Sequence, residues 1–208
     1  MKSETRIKYD YVGIFHEGLA WVYLNGKYGF INRQHEVIVP IIYDGAGYFS
    51  EGLAWVRLNE KYGFVNKQGQ VVIPIIYDYV GDFHEGLAWV KFKGKYGFIN
   101  PQHEVVIPIL YDLVGNFSEG LAWAKLKGKW GFINIEGQGV IPIIYDFVGN
   151  FHWGLVRVEL KAKWGFINKQ GHVVIPIIYD FVDNFNKEST WIKFKGITGV
   201  ISKTRYTS

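Results

Sequence analysis

The segment Phe15-His16-Glu17-Gly18-Leu19-Ala20-Trp21-Val22 returns 34 residues later as Phe49-Ser50-Glu51-Gly52-Leu53-Ala54-Trp55-Val56, again from Phe83 and Phe117, and in altered form from Phe151 and Phe185. A fixed period of roughly 20 to 50 residues constrains a fold more than any single residue, because each unit buries its apolar face only against its neighbours. Behind the first segment stand Lys27-Tyr28-Gly29-Phe30-Ile31-Asn32 and Val39-Pro40-Ile41-Ile42-Tyr43-Asp44, matched by Lys129-Trp130-Gly131-Phe132-Ile133-Asn134 and Ile141-Pro142-Ile143-Ile144-Tyr145-Asp146. The repeats run at about 11–44, 45–78, 79–112, 113–146, 147–180 and 181–208. The sixth stops where its own Ile-Pro-Ile-Ile-Tyr-Asp segment is due, and Tyr9-Asp10 reads as the tail of a unit whose start is absent. The sequence therefore predicts a single repeat domain in which residues 1–10 complete the sixth unit. A weaker period of 68 residues pairs His16 with His84 and His35 with His103.

Local chemistry predicts strands. Aromatic residues make up 18% of the chain and Gly 25 residues, a composition of strands and tight turns. Asn25-Gly26 is a favoured two-residue hairpin turn, which sets Leu24 opposite Lys27, Tyr23 opposite Tyr28, Val22 opposite Gly29 and Trp21 opposite Phe30. One face of that hairpin is bulky (Leu19, Trp21, Tyr23, Tyr28, Phe30) and the other small (Ala20, Val22, Leu24, Gly29, Ile31). A bulky face stacked on the small face of the next copy satisfies both. Val71-Val72-Ile73-Pro74-Ile75-Ile76-Tyr77 predicts a third strand, placed at the sheet edge because proline lacks an N–H. Asp78-Tyr79-Val80-Gly81-Asp82 reads as a crossing. The expectation is all-β: six 34-residue repeats of three short antiparallel strands, about eighteen in all, in a propeller-like closed toroid, with an open β-solenoid as the alternative.

The Glu-Gly-Leu-Ala-Trp-Val, Lys-Trp-Gly-Phe-Ile-Asn (at Lys129 and Lys163) and Val-Ile-Pro-Ile-Ile-Tyr-Asp segments together resemble the bacterial WG-containing repeat, also called the KWG repeat. The resemblance covers nearly the whole chain. Tyr-Gly stands at Tyr28, Tyr62 and Tyr96, and Thr198-Gly199 replaces the Trp-Gly pair in the sixth unit. It implies an all-β repetitive fold in a family largely without assigned activity.

Function is read from what repeats and what breaks the repeat. The column Trp21, Trp55, Trp89, Trp123 and Trp191, with Arg157 in the fifth unit, reads first as packing between units. Near it on the same strand face stand Arg57, Lys91, Lys93, Lys125, Lys127 and Lys161, which place a basic rim at the hairpin tips; the bland alternative is a solvated edge. The aspartates Asp10, Asp44, Asp78, Asp112, Asp146 and Asp180 recur once per unit and are expected to form Asx-turns. Glu17, Glu51, Glu85 and Glu119 and the histidines read as turn residues before they read as cation ligands. Departures concentrate between the fifth and sixth units, at Trp153, Val156, Arg157 and Asn186 to Thr190, and that sector is the expected place for specific binding.

No nucleophile elbow, phosphate-binding glycine loop or His-Glu-x-x-His occurs, and there is no cysteine, so no enzyme, cofactor or metal site is expected. A net charge of +4 is mild, which makes nucleic acid a poor partner. No apolar run is long enough to span a bilayer, and the polar start lacks a signal peptide, so a cytoplasmic monomer is the default expectation. The favoured role is a non-catalytic interaction scaffold for a protein partner of acidic character, the alternative a carbohydrate-binding, lectin-like module.

Overall fold

The computed structural model describes residues 8–186 and 189–202 of the 208-residue chain. Its described residues contain strands and no helix, hence none long and apolar enough to cross a membrane. The chain divides into two compact units, Met1–Ile109 and Leu110–Ser208. In the first, one sheet holds β1 (Tyr11–Val12), β2 (Leu19–Leu24), β3 (Lys27–Asn32) and β4 (Val37–Tyr43). The second sheet holds β5 (Gly45–Ala46), β6 (Leu53–Leu58), β7 (Lys61–Asn66) and β8 (Val71–Tyr77). The third holds β9 (Tyr79–Val80), β10 (Ala88–Phe92), β11 (Lys95–Ile99) and β12 (Val105–Tyr111), the last of which carries the division between units. The other unit repeats the plan with β13 (Leu113–Val114), β14 (Leu121–Leu126), β15 (Lys129–Asn134) and β16 (Gly139–Tyr145), then β17 (Phe147–Val148), β18 (Leu155–Leu160), β19 (Lys163–Asn168) and β20 (Val173–Tyr179). Among the described residues its last sheet has three strands: β21 (Phe181–Val182), β22 (Ser189–Phe194) and β23 (Ile197–Ser202). Every sheet is an open antiparallel meander, and one sheet corresponds to one repeat.

The hairpin register is the expected one, with Trp21 opposite Phe30, Val22 opposite Gly29 and Tyr23 opposite Tyr28. The proline strands β4, β8, β12, β16 and β20 lie at sheet edges, as a residue without an N–H requires. Three strands per repeat is an undercount. The crossing forms a short fourth strand, because its backbone meets the next hairpin in register: Asp44 N–H donates to Arg57 O at 2.8 Å and Gly47 N–H to Trp55 O at 3.0 Å. The described residues thus form 23 strands rather than about eighteen. The pairing expected between residues 1–10 and the sixth unit falls largely on residues 1–7, outside the described residues. Asp10 belongs to the first sheet, where its N–H donates to Tyr23 O and its carboxylate accepts the Asn25 N–H.

Bulky faces pack on small faces within each unit. Leu19, Phe30 and Val39 of the first sheet meet Ala54, Val56 and Val65 of the second. Leu53, Phe64 and Ile73 meet Ala88, Val90 and Ile99. Phe132 and Ile141 meet Val156, Val158 and Ile167, and Leu155, Phe166 and Ile175 meet Ile201. The phenylalanines that open the second, third and sixth motifs point back into the preceding sheet: Phe49 lies edge-on to Phe30 and Phe83 to Phe64, both at 4.9 Å between centroids, and Phe185 to Phe166 at 5.2 Å. Each fully buried phenylalanine contributes about 1.5–3 kcal/mol.

The glycine of the Trp-Gly or Tyr-Gly pair has a steric cause. The edge strand bulges over it, and a Cβ on Gly63 would lie 2.5 Å from Ile73 O and 2.8 Å from Ile75 Cα. Among the described residues no edge strand stands beside Gly199, and nothing lies within 4 Å of its Cβ position.

Candidate binding grooves

The tryptophan column is positioned by a second glycine. A Cβ on Gly47 would lie 2.2 Å from the Trp55 indole nitrogen, so the ring lies flat against the backbone of the first strand of its own sheet. The indole also packs beside the next ring of its hairpin, Tyr28 for Trp21 at 5.7 Å and Trp130 for Trp123 at 5.3 Å. Its N–H reaches the following repeat: the Trp55 indole donates to the Asp82 side chain, whose carboxyl burial nonetheless pushes above the usual carboxylate range. The column is therefore half packing and half wall.

Between the first and second sheets, and again between the fourth and fifth, that wall faces the short first strand of the following sheet and leaves a groove. In the first unit Trp21 and Tyr28 oppose Gly45, Ala46, Tyr48, Trp55 and Arg57 around about 390 Å³. The counterpart in the second unit sets Trp123 and Trp130 against Phe147, Gly149, Asn150, His152 and Arg157, with Asn184 at one side, around about 260 Å³. Arg57 Nη2 donates to Asp44 O at 2.9 Å. Arg157 stands in the tryptophan column, over Gly149, with its guanidinium across the faces of Phe147 and Trp164.

Charges at the hairpin tips are organised by the once-per-repeat aspartate, which does not make an Asx-turn. Asp44 accepts the Lys27 ammonium at 2.5 Å from the sheet before it and the Asn59 N–H at 2.8 Å from the tip of the sheet after it. Lys61 and Asp78, and Lys163 and Asp180, pair at 2.6 Å, and Lys129 pairs with Asp146. These lysines hold the four carboxyls below the usual range, with the tip N–H groups adding to the effect. The Asx-turns belong to a column the sequence reading passed over. Asn32 Oδ1 accepts the N–H groups of Gln34 and Glu36, and Asn66, Asn100 and Asn168 accept two each in the same way. An asparagine three residues before Gly69 or Gly171, or before the positive-φ His35 and His103, was the available signal.

The glutamates tie consecutive turns together. Glu17 accepts the Gly52 N–H at 3.0 Å and Lys67 at 2.8 Å, and Lys67 lowers its carboxyl's pKa; Glu51 accepts the Gly86 N–H at 2.9 Å. Glu119 pairs with Lys169 beside a second cavity of about 310 Å³ lined by Ser118, Trp123 and Phe151. Trp153 takes the glutamate place in the fifth sheet, at φ 54° and 60% exposed. His16 stacks on Tyr48 at 4.3 Å and His103 Nε2 lies 2.8 Å from the Tyr77 hydroxyl. Among the described residues no three His, Asp or Glu side chains group as metal ligands.

Arg57, expected at a basic rim, and Arg157, expected in the tryptophan column, line grooves. Lys91 stands over Tyr79 and Tyr96, Lys93 over Phe92, and Lys125 over Trp130, the groove wall, at 4.9 Å. Lys93, Lys127 and Lys161 hold the positive-φ first position of their tips, and the Lys161 N–H is bonded to Asp146. The tips thus carry interleaved charge of both signs.

The model of the WG containing repeat matches residues 6–28, 28–62, 62–96, 96–130, 130–164 and 164–196. No curated protein matches the chain. Among solved structures, the extracellular domain of BT4673 from B. thetaiotaomicron is 13% identical with a TM-score of 0.43, over 97% of this chain and 34% of that one. The chain thus spans about a third of that domain. Hsv2 from Kluyveromyces marxianus is 10% identical with a TM-score of 0.48, over 90% of this chain and 69% of that one. A eukaryotic initiation factor is 12% identical with a TM-score of 0.52, over 86% and 58%; identity this low speaks to the fold alone.

Proposed function

The chain belongs to the WG-containing repeat family, and from that premise we propose that it is a non-catalytic binding scaffold offering one kind of aromatic groove at successive repeats. The observation that carries this is the recurrence of the groove, walled by Trp21 and Tyr28 in one unit and by Trp123 and Trp130 in the other, with an arginine at a different register position in each, Arg57 and Arg157. Catalysis gathers unlike groups at one place, whereas equivalent grooves on one body gain avidity for a partner with several weak epitopes. The partner is a protein with acidic segments, met by the arginines and by the lysines of the tips.

Affinity capture from the native source tests the reading. A partner held by the wild type and by Val71→Ala, on an exposed sheet edge, is expected to be lost when Tyr48→Ala and Arg57→Ala are combined. Turnover of a small molecule by the pure protein, or capture unchanged by the groove substitutions, would overturn it. The exposed Trp153 ring supports the carbohydrate-binding alternative; glycan-array binding abolished by Trp153→Ala would establish that role instead.

A further inference from the structure

We infer that the groove at Arg157 takes the carboxylate of an aspartate or glutamate in an acidic peptide segment, an inference that rests on the scaffold reading and names the chemistry of one groove. In the first four repeats the Arg157 position is a tryptophan, and the single N–H of Trp55 is met by Asp82 of the following repeat. Arginine brings five donors to the same place. Its Nε is buried without a hydrogen-bond partner, and Nη1 makes a marginal bond to Val182 O at 3.5 Å. None of the ion pairs among the described residues includes it, and Glu159, two residues along the same strand face, forms none with it. Arg57, by contrast, is held by Asp44 O at 2.9 Å.

The guanidinium is fixed rather than free. Its carbon lies 5.7 Å from the Phe147 centroid and 5.6 Å from that of Trp164, so the two rings hold the fork in one orientation. Trp123 and Trp130 wall the groove and lower the local dielectric, which strengthens a charge-assisted pair with a planar carboxylate. Asn150, Asn184 and His152 supply amide and imidazole groups that match peptide N–H and C=O groups along the same groove. A sugar would need an open aromatic face. Arg157 covers those of Phe147 and Trp164, and Lys125 stands over Trp130.

Fluorescence anisotropy with a labelled glutamate–tyrosine copolymer tests this on the full chain. Binding is expected for the wild type, weakened about tenfold or more by Arg157→Gln and Arg157→Trp and less than about twofold by Arg33→Gln, which removes the same charge from an exposed residue outside both grooves. Arg157→Trp restores the residue of the first four repeats, so it keeps the test readable if Arg157→Gln does not fold. Absence of binding to the wild type, full affinity in Arg157→Trp, or equal loss in Arg33→Gln would overturn the inference. Polygalacturonate binding with the same dependence on Arg157 would also overturn it, by giving the groove to an acidic glycan. Failure here leaves the scaffold reading to stand or fall on the capture experiment.

Discussion

Trp55 and Trp191 occupy the same column of the repeat and live in different surroundings. Trp55 lies on Gly47, beside Tyr62 at 5.6 Å, and bonds forward to Asp82. Trp191 has Asp183 where the glycine should be, Thr198 where the tyrosine should be, and is 57% exposed. Val200, in the place of the buried Phe30 and Phe64, is 56% exposed. The same residue in the same register is packed and half-buried in one sheet and exposed in the other. What differs is the glycine on which the ring lies and the tyrosine beside it, replaced at Trp191 by Asp183 and Thr198.

Four measurements can break or sharpen that contrast. Trp55→Ala is expected to cost about 3 kcal/mol of stability, against about 0.5 kcal/mol or less for Trp191→Ala; similar losses in urea unfolding would dissolve the distinction. Next comes the strand-facing glycine: Gly63→Ala forces backbone apart and is expected to cost about 2 kcal/mol, whereas Gly199→Ala should leave the melting temperature nearly unchanged.

Asp82 gives a smaller effect with a defined sign. Its folded pKa is raised by burial, so the folded state binds its proton more tightly than the unfolded chain and loses stability as pH rises through the folded pKa. Asn116, Asn150 and Asn184 stand at the same place in later repeats. Asp82→Asn is therefore expected to raise the melting temperature at pH 7, the gain shrinking toward pH 3; a loss at pH 7 would contradict the burial argument. Smallest is Lys61→Met, which removes one exposed ion pair: under about 1 kcal/mol, less in high salt. Asp44, Asp78, Asp146 and Asp180 work in the opposite sense to Asp82. Their lowered pKa values contribute stability above the unfolded carboxylate range, lost as pH falls through the folded values.

Period-two alternation and a two-residue turn are strong local signals, so hairpin register, edge prolines and bulky-on-small packing were legible from residues such as Trp21, Val22 and Pro74. Two-residue strands such as Tyr79–Val80 carry no periodicity and read as a crossing. The aspartates misled for a related reason. Asp44 does resemble a turn residue, but its partners lie 17 residues back and 15 ahead, on two different sheets. Arg157 was visible as a break in the repeat. Its groove was not, because the walls come from residues 123–130 and 147–157, brought together only by the stacking of sheets.

Asp44, Asp78, Asp146 and Asp180 make the same bonds backward and forward whichever copies they join: a lysine behind, a hairpin tip ahead. The seam is thus indifferent to copy number. Recombination that duplicates or excises a 34-residue stretch in register leaves every remaining joint chemically intact, so a gene of this kind can lengthen or shorten its product by whole sheets without repairing an interface. Changes of specificity such as Arg157 can then arise in one copy while the others hold the array together.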